Sequence, residues 1–490
     1  MSLAPNSFGV SLDALFALAD RTGAPGIRVS ACTADWRDVQ AGDAFVAVLS
    51  DDDDGHDHAA EAVRRGAAAV ICDRPVAAFG VPVYQVEDSR IAYGELCHAL
   101  VEHPSRQIKT IGIVGTHGKT AAATLLESIF RAADFEFGVL SSTKTSDGIS
   151  VGPGWGEAPS PVEFASRLAR MEAAGCTHAI VETSSAALAQ ARLAGVEFDA
   201  VCVTSISERR LDLHHTRENY RNAERRALDL LSPTGMAVLN ADDQVCCRWL
   251  AELDAPALTY GLGDAAQIMA TIVEENATET LWVLAAGEDS AAIRSTVVGR
   301  KHVENCLAAA TVALVEGIDL ETIARGIEQV GVMPGQMERI DCGQEFPVYV
   351  DSAAAPHSLA AALRTARQFA AGRVICVLGD SLPNSVDETA SLRSVIRKLA
   401  DVAIVTDRAA GNLNPDDQWL STDRLQVVAD RGEAIAWAVA MADAGDVVVV
   451  AGSFARPRFA FGERSETIGD VEAVREMLYA RNVPALRLAA

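Results

Sequence analysis

The sequence predicts an α/β protein in which the strands of parallel sheets alternate with helices. From about residue 110 onward, short runs rich in Val and Ile alternate with Ala- and Leu-rich stretches of helical length. Several runs are continuously apolar, which is typical of strands buried on both faces of a parallel sheet. This alternation of strand and helix favours doubly wound domains. A glycine-containing turn between one apolar run and a helix is a third indication.

The individual elements follow from these patterns. The predicted strands are Thr110–Val114, His178–Val181, Ala200–Thr204, Ala237–Leu239, Val348–Val350, Val374–Leu378, Val402–Val405 and Val447–Val450. The predicted helices include Ala121–Ala133, Pro161–Ala174 and Ser358–Phe369.

The chain length of 490 residues suggests about three domains. We predict an N-terminal domain over 1–107, a central domain over 108–336 and a C-terminal domain over 337–490. His103-Pro104 suits the first boundary, because proline disfavours helix at the residue before it. The second boundary is expected near Val332-Met333-Pro334-Gly335.

Composition narrows the classes of partner. The net charge of −25 argues against non-specific binding of nucleic acid, which needs Lys and Arg on phosphates. The ten cysteines include no C-x-x-C pair, so we expect reduced thiols and no cysteine metal site. No apolar run reaches about 18 residues and no secretory signal is evident, so we expect a cytoplasmic protein without a membrane partner.

The glycine-containing turn is the segment Gly115-Thr116-His117-Gly118-Lys119-Thr120, between the strand ending at Val114 and the helix beginning near Ala121. Strand, glycine loop and helix in this order are the context that a phosphate loop requires, although Ile113 occupies the first glycine position of the strict G-x-x-x-x-G-K-[ST] pattern. Backbone N–H groups and the helix N-terminus attract phosphate. Lys119 would reach the terminal phosphates, and the Thr120 hydroxyl would bind Mg²⁺. The sequence therefore predicts nucleotide binding.

The same six residues have the form found in Mur ligases, and further motifs match along the chain in the same order. Val181–Ser185 resembles E-V-S-S-H, Leu211–His214 resembles L-D-Y-H, Leu239–Asp243 matches L-N-A-D-D, Gly335–Arg339 resembles G-R-M-E-R, and Asp351–Pro356 resembles D-Y-A-H-T-P. The chain is thus identified as a divergent member of the Mur ligase family, closest to its UDP-N-acetylmuramoyl-tripeptide synthetases.

The resemblance implies a fold and an activity. It implies the three-domain Mur ligase architecture, with a domain similar to the family's UDP-MurNAc-binding domain, a central P-loop parallel-sheet domain and a C-terminal Rossmann-like ligase domain. The implied activity is ATP-dependent ligation of a carboxylate and an amine, which adds an amino acid to a UDP-MurNAc-peptide during peptidoglycan synthesis for the cell wall. The implied cofactors are ATP and Mg²⁺, and we expect a monomer.

The resemblance also implies roles for individual residues. The expected ATP-binding residues are Gly115, Thr116, His117, Gly118, Lys119 and Thr120, with Asn305 near the adenine and Asp351 near the ribose. The expected catalytic residues are Lys119, Glu182 and Glu224, and the expected metal ligands are Thr120, Glu182 and Glu224. The expected substrate-binding residues are Asp35, Arg37, Ser160, Ser184, Ser185, Gln190 and Arg192.

Two of these carboxylates have alternative interpretations. Glu182, at a strand end, could instead cap a neighbouring loop. Glu224 stands where the family has a carbamylated lysine. It could supply a substitute carboxylate, or it could be a surface glutamate on a helix.

Several family residues are replaced. Arg210 stands in place of a metal-binding histidine, Gln336 in place of an arginine, and Ala354 and Ala355 in place of a histidine and a threonine. Gly379-Asp380-Ser381 lacks the cations that follow in the family, and Asp407–Ala410 and Gly452–Arg456 replace two further motifs. Loss of one electrostatic donor commonly costs about 10²–10³ in rate. Two hypotheses therefore stay open: an active ligase, and a catalytically impaired paralogue that binds nucleotide or wall precursor in a regulatory or scaffolding role.

Overall fold

The computed structural model describes residues 9–50, 53–156, 159–207, 211–379, 386–406, 424–452, 458–461, 464–467 and 469–482. The chain divides into two compact units. The first comprises Met1–Met269, Ala285–Asp289 and Asn305–Gly326, and the second comprises Ala270–Leu284, Ser290–Glu304 and Ile327–Ala490. No helix among the described residues is both long and apolar enough to cross a bilayer.

The N-terminal part of the first unit has a five-stranded sheet in the order β2-β7-β6-β5-β4 and a separate pair, β1-β3. Its strands are β1 (Val10–Ser11), β2 (Asp20–Thr22), β3 (Arg28–Val29), β4 (Cys32–Thr33), β5 (Ala44–Val46), β6 (Ala69–Cys72) and β7 (Val83–Gln85). Its helices are α1 (Leu12–Leu15), α2 (Ala59–Arg65) and α3 (Ser89–Leu100). Four strands, β4 to β7, pair in parallel, so their carboxyl ends share one edge.

A larger sheet follows, in the order β11-β10-β9-β12-β8-β13-β14-β15-β16-β17-β18. Its strands are β8 (Lys109–Val114), β9 (Phe137–Leu140), β10 (Lys144–Ser146), β11 (Val151–Pro153), β12 (His178–Glu182), β13 (Phe198–Val203), β14 (Leu231–Asn240), β15 (Ala257–Gly261), β16 (Ile268–Glu275), β17 (Thr280–Ala286) and β18 (Asp289–Ser295). The helices over this part of the chain are α4 (Lys119–Ala132), α5 (Pro161–Ala173), α6 (Ser185–Ala189), α7 (Leu211–His214), α8 (Arg217–Arg225), α9 (Gln244–Glu252), α10 (Arg300–Val315) and α11 (Leu320–Glu328).

The middle of this sheet explains where the phosphate loop lies. Strand β8 pairs in parallel with β12 on one side and β13 on the other. All three strands are buried along nearly their whole length, as their unbroken apolar runs predict. The loop after β8 therefore projects at the carboxyl edge of the sheet, between the residues that follow its two neighbours.

The second unit has a sheet in the order β19-β20-β24-β21-β22-β23, in which only β19 is antiparallel to its neighbour. The strands of its C-terminal part are β19 (Glu338–Ile340), β20 (Val348–Asp351), β21 (Val374–Leu378), β22 (Val402–Thr406), β23 (Leu425–Val428), β24 (Val447–Ala451), β25 (Arg458–Phe461) and β26 (Arg464–Thr467). Its helices are α12 (Pro356–Phe369), α13 (Val386–Leu399), α14 (Arg431–Met441) and α15 (Asp470–Asn482).

Apolar clusters lie on both faces of this second sheet, so it is covered on both sides. All eight strands and all three helices named from the sequence are present, and all except β14 begin and end within two residues of the predicted bounds. The largest extension is at β14, which begins at Leu231 although the apolar pattern begins at Ala237. The domain boundaries at 107 and 336 stay predictions.

Candidate active site

The phosphate loop has the backbone conformation that its glycines predict. Gly115 has φ = 126° and Gly118 has φ = 87°, a region that side chains with a Cβ rarely adopt. A Cβ on Gly115 would collide with the Thr204 hydroxyl, and one on Gly118 would collide with Asn305 Oδ1. Helix α4 begins at Lys119, directly after the loop, so its first amides have no acceptor within the helix. These amides suit a phosphate group.

The first two amides of the loop are engaged elsewhere. The Gly115 N–H donates to Glu224 Oε2 at 3.2 Å, and the Thr116 N–H donates to the Ser205 carbonyl at 2.6 Å. These two N–H groups therefore already have protein acceptors. The Lys119 ammonium group joins the two ends of the loop, because it donates to the Gly115 carbonyl at 2.6 Å.

Glu182 and Thr120 meet beside the loop. The Thr120 hydroxyl lies 2.9 Å from Glu182 Oε1. Ser142 also contacts this carboxylate, with its N–H 3.1 Å from Oε2 and its hydroxyl 3.1 Å from the same oxygen. Glu182 is 7 % exposed and is the last residue of β12. Both interpretations of Glu182 thus have support: it caps the loop after β9, and its carboxylate faces Thr120.

These oxygens fit a Mg²⁺ ion by their chemistry. Magnesium takes oxygen ligands at about 2.0–2.1 Å in octahedral geometry, which places adjacent ligands roughly 3 Å apart. The Thr120–Glu182 separation of 2.9 Å is compatible with that spacing. No cluster of three or more His, Cys, Asp and Glu side chains suited to a metal occurs among the described residues. Substrate phosphates and water would therefore have to complete the coordination, as is usual for Mg²⁺.

Glu224 is not a surface glutamate. It lies on α8 and is 1 % exposed, and its Oε1 accepts a 2.9 Å hydrogen bond from the Tyr220 hydroxyl. Burial raises its pKa, and this effect outweighs the opposing influences of Lys119 and of the hydrogen bonds from Tyr220 and Gly115. The sequence did not reveal this burial, because α8 is otherwise rich in charged and polar residues.

The expected substrate-binding residues have separate structural roles. Ser160 and Ser184 cap helices α5 and α6 by accepting the N–H groups of Glu163 and Ala187. The Ser185 hydroxyl lies 3.0 Å from His214 Nε2, and both residues are buried. Gln190 ends α6. Arg192, after it in the chain, is partly exposed.

Asp35 and Arg37 lie in the N-terminal part, at a short 3-10 helix after β4. The Arg37 Nε donates to Asp35 Oδ1 at 2.8 Å, and this hydrogen bond is the largest influence holding the pKa of Asp35 below its usual value. The pair is close in sequence and partly exposed, so it forms locally and does not depend on the phosphate loop.

Asn305 and Asp351 belong to different units. Asn305, on α10, is 9 % exposed and has its Oδ1 against Gly118 of the loop. Asp351 ends β20 in the second unit, where its carboxylate accepts the N–H groups of Met337 and Ala353, each at 2.8 Å. Desolvation raises the pKa of Asp351 to about 6.

Two residues at the site were missed by the sequence analysis. Ser142 and Thr204 follow β9 and β13 and contact Glu182 and the loop. A hydroxyl residue within two positions of the end of a buried strand was the available signal, but the strand order was needed to use it. Of the replaced family residues, Arg210, Ser381, the stretch Asp407–Ala410 and most of the stretch Gly452–Arg456 lie outside the described residues.

Comparison with known proteins supplies the family. The profile of the Mur ligase middle domain matches residues 113–313, and that of the Mur ligase glutamate ligase domain matches residues 335–454. A UDP-N-acetylmuramoyl-L-alanyl-D-glutamate–2,6-diaminopimelate ligase of Geobacillus kaustophilus (strain HTA426) is 34 % identical over 432 residues, 85 % of this chain and 88 % of that protein. The protein of the same name from Gloeobacter violaceus (strain ATCC 29082 / PCC 7421) is 33 % identical over 94 % of this chain and 96 % of its own length.

Solved structures agree in fold. A structure of a UDP-N-acetylmuramoyl-L-alanyl-D-glutamate–2,6-diaminopimelate ligase has a TM-score of 0.73 at 22 % identity, covering 96 % of this chain and 99 % of that one. MurF from Acinetobacter baumannii has a TM-score of 0.61 at 19 % identity, covering 92 % and 97 %. The expected α/β fold with the three-domain Mur ligase architecture is thereby confirmed. Sequence relatives and fold together show that the chain belongs to the Mur ligase family.

Proposed function

We propose that this protein is an ATP-dependent ligase that joins an amino acid to a UDP-MurNAc-peptide in peptidoglycan synthesis. The observation that carries the proposal is the meeting of Lys119, Thr120 and Glu182 around one phosphate loop at the carboxyl edge of the central sheet. The relatives compared above are named as ligases of this type, and their similarity extends over most of the chain. Their names favour the active ligase over the impaired paralogue.

The proposed chemistry proceeds in two steps. A substrate carboxylate oxygen attacks the γ-phosphorus of ATP, the bond to the bridging oxygen breaks, and ADP leaves with that electron pair. The amine nitrogen then attacks the carbonyl carbon of the acyl phosphate, inorganic phosphate leaves, and the nitrogen loses a proton to give the amide. The first step is needed because a free carboxylate is a poor electrophile.

The residues of this chain contribute positioning and charge. Lys119 would place its ammonium group on the terminal phosphates, where negative charge accumulates. Thr120 and Glu182 would hold Mg²⁺, which neutralises phosphate charge when bound. The Asn305 side chain, against Gly118, would lie near the nucleotide. Asp35, Arg37, Ser160, Ser184, Ser185, Gln190 and Arg192 remain proposed contacts of the UDP-MurNAc-peptide.

The test is a measurement of ADP release. The protein is incubated with ATP, Mg²⁺, UDP-N-acetylmuramoyl-L-alanyl-D-glutamate and a panel of amino acids that includes 2,6-diaminopimelate. We expect release that requires both the nucleotide-linked peptide and one amino acid, and that is abolished by Lys119→Ala. Release that needs neither acceptor, or none at all while ATP binds, would contradict the proposal.

A further inference from the structure

Glu224 and Tyr220 form a buried support beneath the phosphate loop. They lie one helical turn apart on α8, so their side chains share one face of that helix. Tyr220 is 2 % exposed and Glu224 is 1 % exposed. The helix itself is fixed at its start by Thr216, whose hydroxyl accepts the Asn219 N–H at 3.1 Å.

Each oxygen of the Glu224 carboxylate has a protein donor. Oε2 accepts the Gly115 N–H at 3.2 Å, and Oε1 accepts the Tyr220 hydroxyl at 2.9 Å. A carboxylate that binds Mg²⁺ presents at least one oxygen lone pair toward the ion. Each oxygen of Glu182 also has a protein donor, but one of these donors is Thr120, the phosphate-loop hydroxyl expected on Mg²⁺. The two carboxylates therefore differ in what they face.

The Tyr220 hydroxyl extends the support to the next loop residue. It lies 2.6 Å from Thr116 Oγ1. Thr116 Oγ1 also lies 2.9 Å from the Ser207 carbonyl and accepts the Ser207 N–H at 2.8 Å. Through this chain of contacts α8 fixes both Gly115 and Thr116, while Lys119 holds the Gly115 carbonyl from the other direction.

We propose that Glu224 is a positioning residue that holds the phosphate loop through Gly115 and Tyr220, and that it is not a ligand of the divalent cation. This inference rests on the proposed function only in taking the loop to be a nucleotide-binding site. The metal would instead be held by Thr120 and Glu182, together with groups from the nucleotide and water. Glu224 thus stands at the position of the family's carbamylated lysine without the expected role of a metal ligand.

Glutamine is the substitution that separates these two roles. In Glu224→Gln the amide oxygen still accepts the Gly115 N–H. The new NH₂ group donates to the Tyr220 oxygen, whose hydroxyl hydrogen then turns toward Thr116. Every hydrogen bond of the support is retained, because hydroxyl groups can both donate and accept. A glutamine would, however, be a far weaker ligand for Mg²⁺ than a carboxylate.

The experiment measures amide hydrogen exchange of Gly115 and, separately, Mn²⁺ binding by electron paramagnetic resonance in the presence of ADP. Glu224→Ala removes the acceptor of a buried N–H, so its exchange should rise at least about tenfold. Glu224→Gln should stay within about threefold of the natural protein in exchange and in Mn²⁺ affinity. Glu182→Gln should weaken Mn²⁺ binding by roughly tenfold or more while leaving Gly115 exchange unchanged.

Glu316→Ala is the matched control. Glu316 is also buried, with a side chain 4 % exposed, and it pairs with Lys109 at the opposite end of β8 from the loop. Its loss should destabilise the unit without selectively raising Gly115 exchange. The proposal is overturned if Glu224→Gln loses Mn²⁺ binding as Glu182→Gln does, or if Glu224→Ala leaves Gly115 exchange unchanged. Hydrogen exchange at Gly115 can be measured without turnover of substrate. Absence of ligase activity would therefore contradict the proposed function, but it would leave the exchange result for Glu224 unaffected.

Discussion

The Thr120 hydroxyl lies 2.9 Å from Glu182 Oε1, although 62 residues separate them in the chain. Thr120 is in the first turn of α4 and Glu182 ends β12, which is the parallel neighbour of β8. The parallel pairing brings the two strand ends to one edge, and the short loop after β8 carries Thr120 back toward it. The contact is therefore a consequence of sheet order, and it creates a pair of oxygens suited to Mg²⁺.

Glu182→Gln should lower the Mg²⁺-dependent rate by about 10²–10³, because it removes an anionic oxygen where phosphate charge must be neutralised. ADP release measured across a Mg²⁺ titration would check this. Glu172→Gln, at an exposed position of α5, is the control and should retain the natural rate. A Glu182→Gln enzyme with an unchanged rate and unchanged Mg²⁺ dependence would show that the carboxylate does not serve the metal.

Gly118→Ala should abolish nucleotide binding, because the added Cβ would meet Asn305 Oδ1 at a backbone conformation already unfavourable for alanine. Gly175→Ala is a closely matched control. Gly175 has φ = 86°, compared with 87° at Gly118, and a Cβ there would have no heavy atom within 4 Å. Calorimetric titration with ATP should therefore show loss of binding only for Gly118→Ala. Equal affinities in the two variants would contradict the tight packing of the loop.

His98 should make the protein sensitive to acid. Burial, the largest influence, lowers the pKa of His98 to about 3, and neither ring nitrogen has a hydrogen-bond partner among the described residues. The unfolded chain takes up this proton near its ordinary pKa of about 6.5, whereas the folded protein does so only near the lowered value. Stability from the neutral ring is thus complete above about pH 6.5 and is lost as the pH falls toward 3.

His98→Phe removes this titration. Between pH 7 and pH 5 the natural protein should lose about 2 kcal/mol more free energy of unfolding than the variant, since each pH unit is worth about 1.4 kcal/mol. Urea unfolding at the two pH values measures the difference. Parallel pH dependence in the two proteins would show that His98 does not titrate on unfolding.

Asp470→Asn should destabilise the second unit by about 3–5 kcal/mol, because it leaves the Arg431 charge uncompensated in the interior. Arg431 donates to both oxygens of Asp470, at 2.8 and 2.7 Å, and the two side chains are 4 % and 3 % exposed. Glu61→Gln disrupts an exposed pair with Arg64 and should cost less than about 1 kcal/mol. Similar urea midpoints for the two variants would contradict the buried pair.

The strands and the loop could be predicted because their signals are local. An unbroken apolar run such as Val447–Val450 has few alternatives to a buried strand, and the loop is marked by two glycines and a lysine before a helix. Thr120 and Glu182 could be named from motifs for the same reason. Asn305 was expected near the adenine only because of the family resemblance. In the structure its side chain packs against Gly118 of the loop.

The support beneath the loop could not be predicted, because it depends on which strands are neighbours and on how α8 is rotated. Nothing local distinguishes Glu224 from the exposed Glu218 on the same helix. Ser207 contributes a backbone N–H group, and Ser142 adds its N–H to the contact that its hydroxyl makes with Glu182. Any residue type could supply these N–H groups. Their roles become visible only when the three strand ends are placed side by side.

Transfer of ¹⁸O is the most direct test of the proposed ligase. Both carboxylates of the D-glutamate residue in UDP-N-acetylmuramoyl-L-alanyl-D-glutamate are labelled with ¹⁸O. Inorganic phosphate is analysed by mass spectrometry after reaction with ATP and the amino acid identified by the ADP-release assay. An acyl phosphate requires that one carboxylate oxygen leave with the phosphate, so the account predicts one ¹⁸O atom in each phosphate released. Phosphate without the label would contradict it, because ATP would then be hydrolysed without activation of the peptide carboxylate.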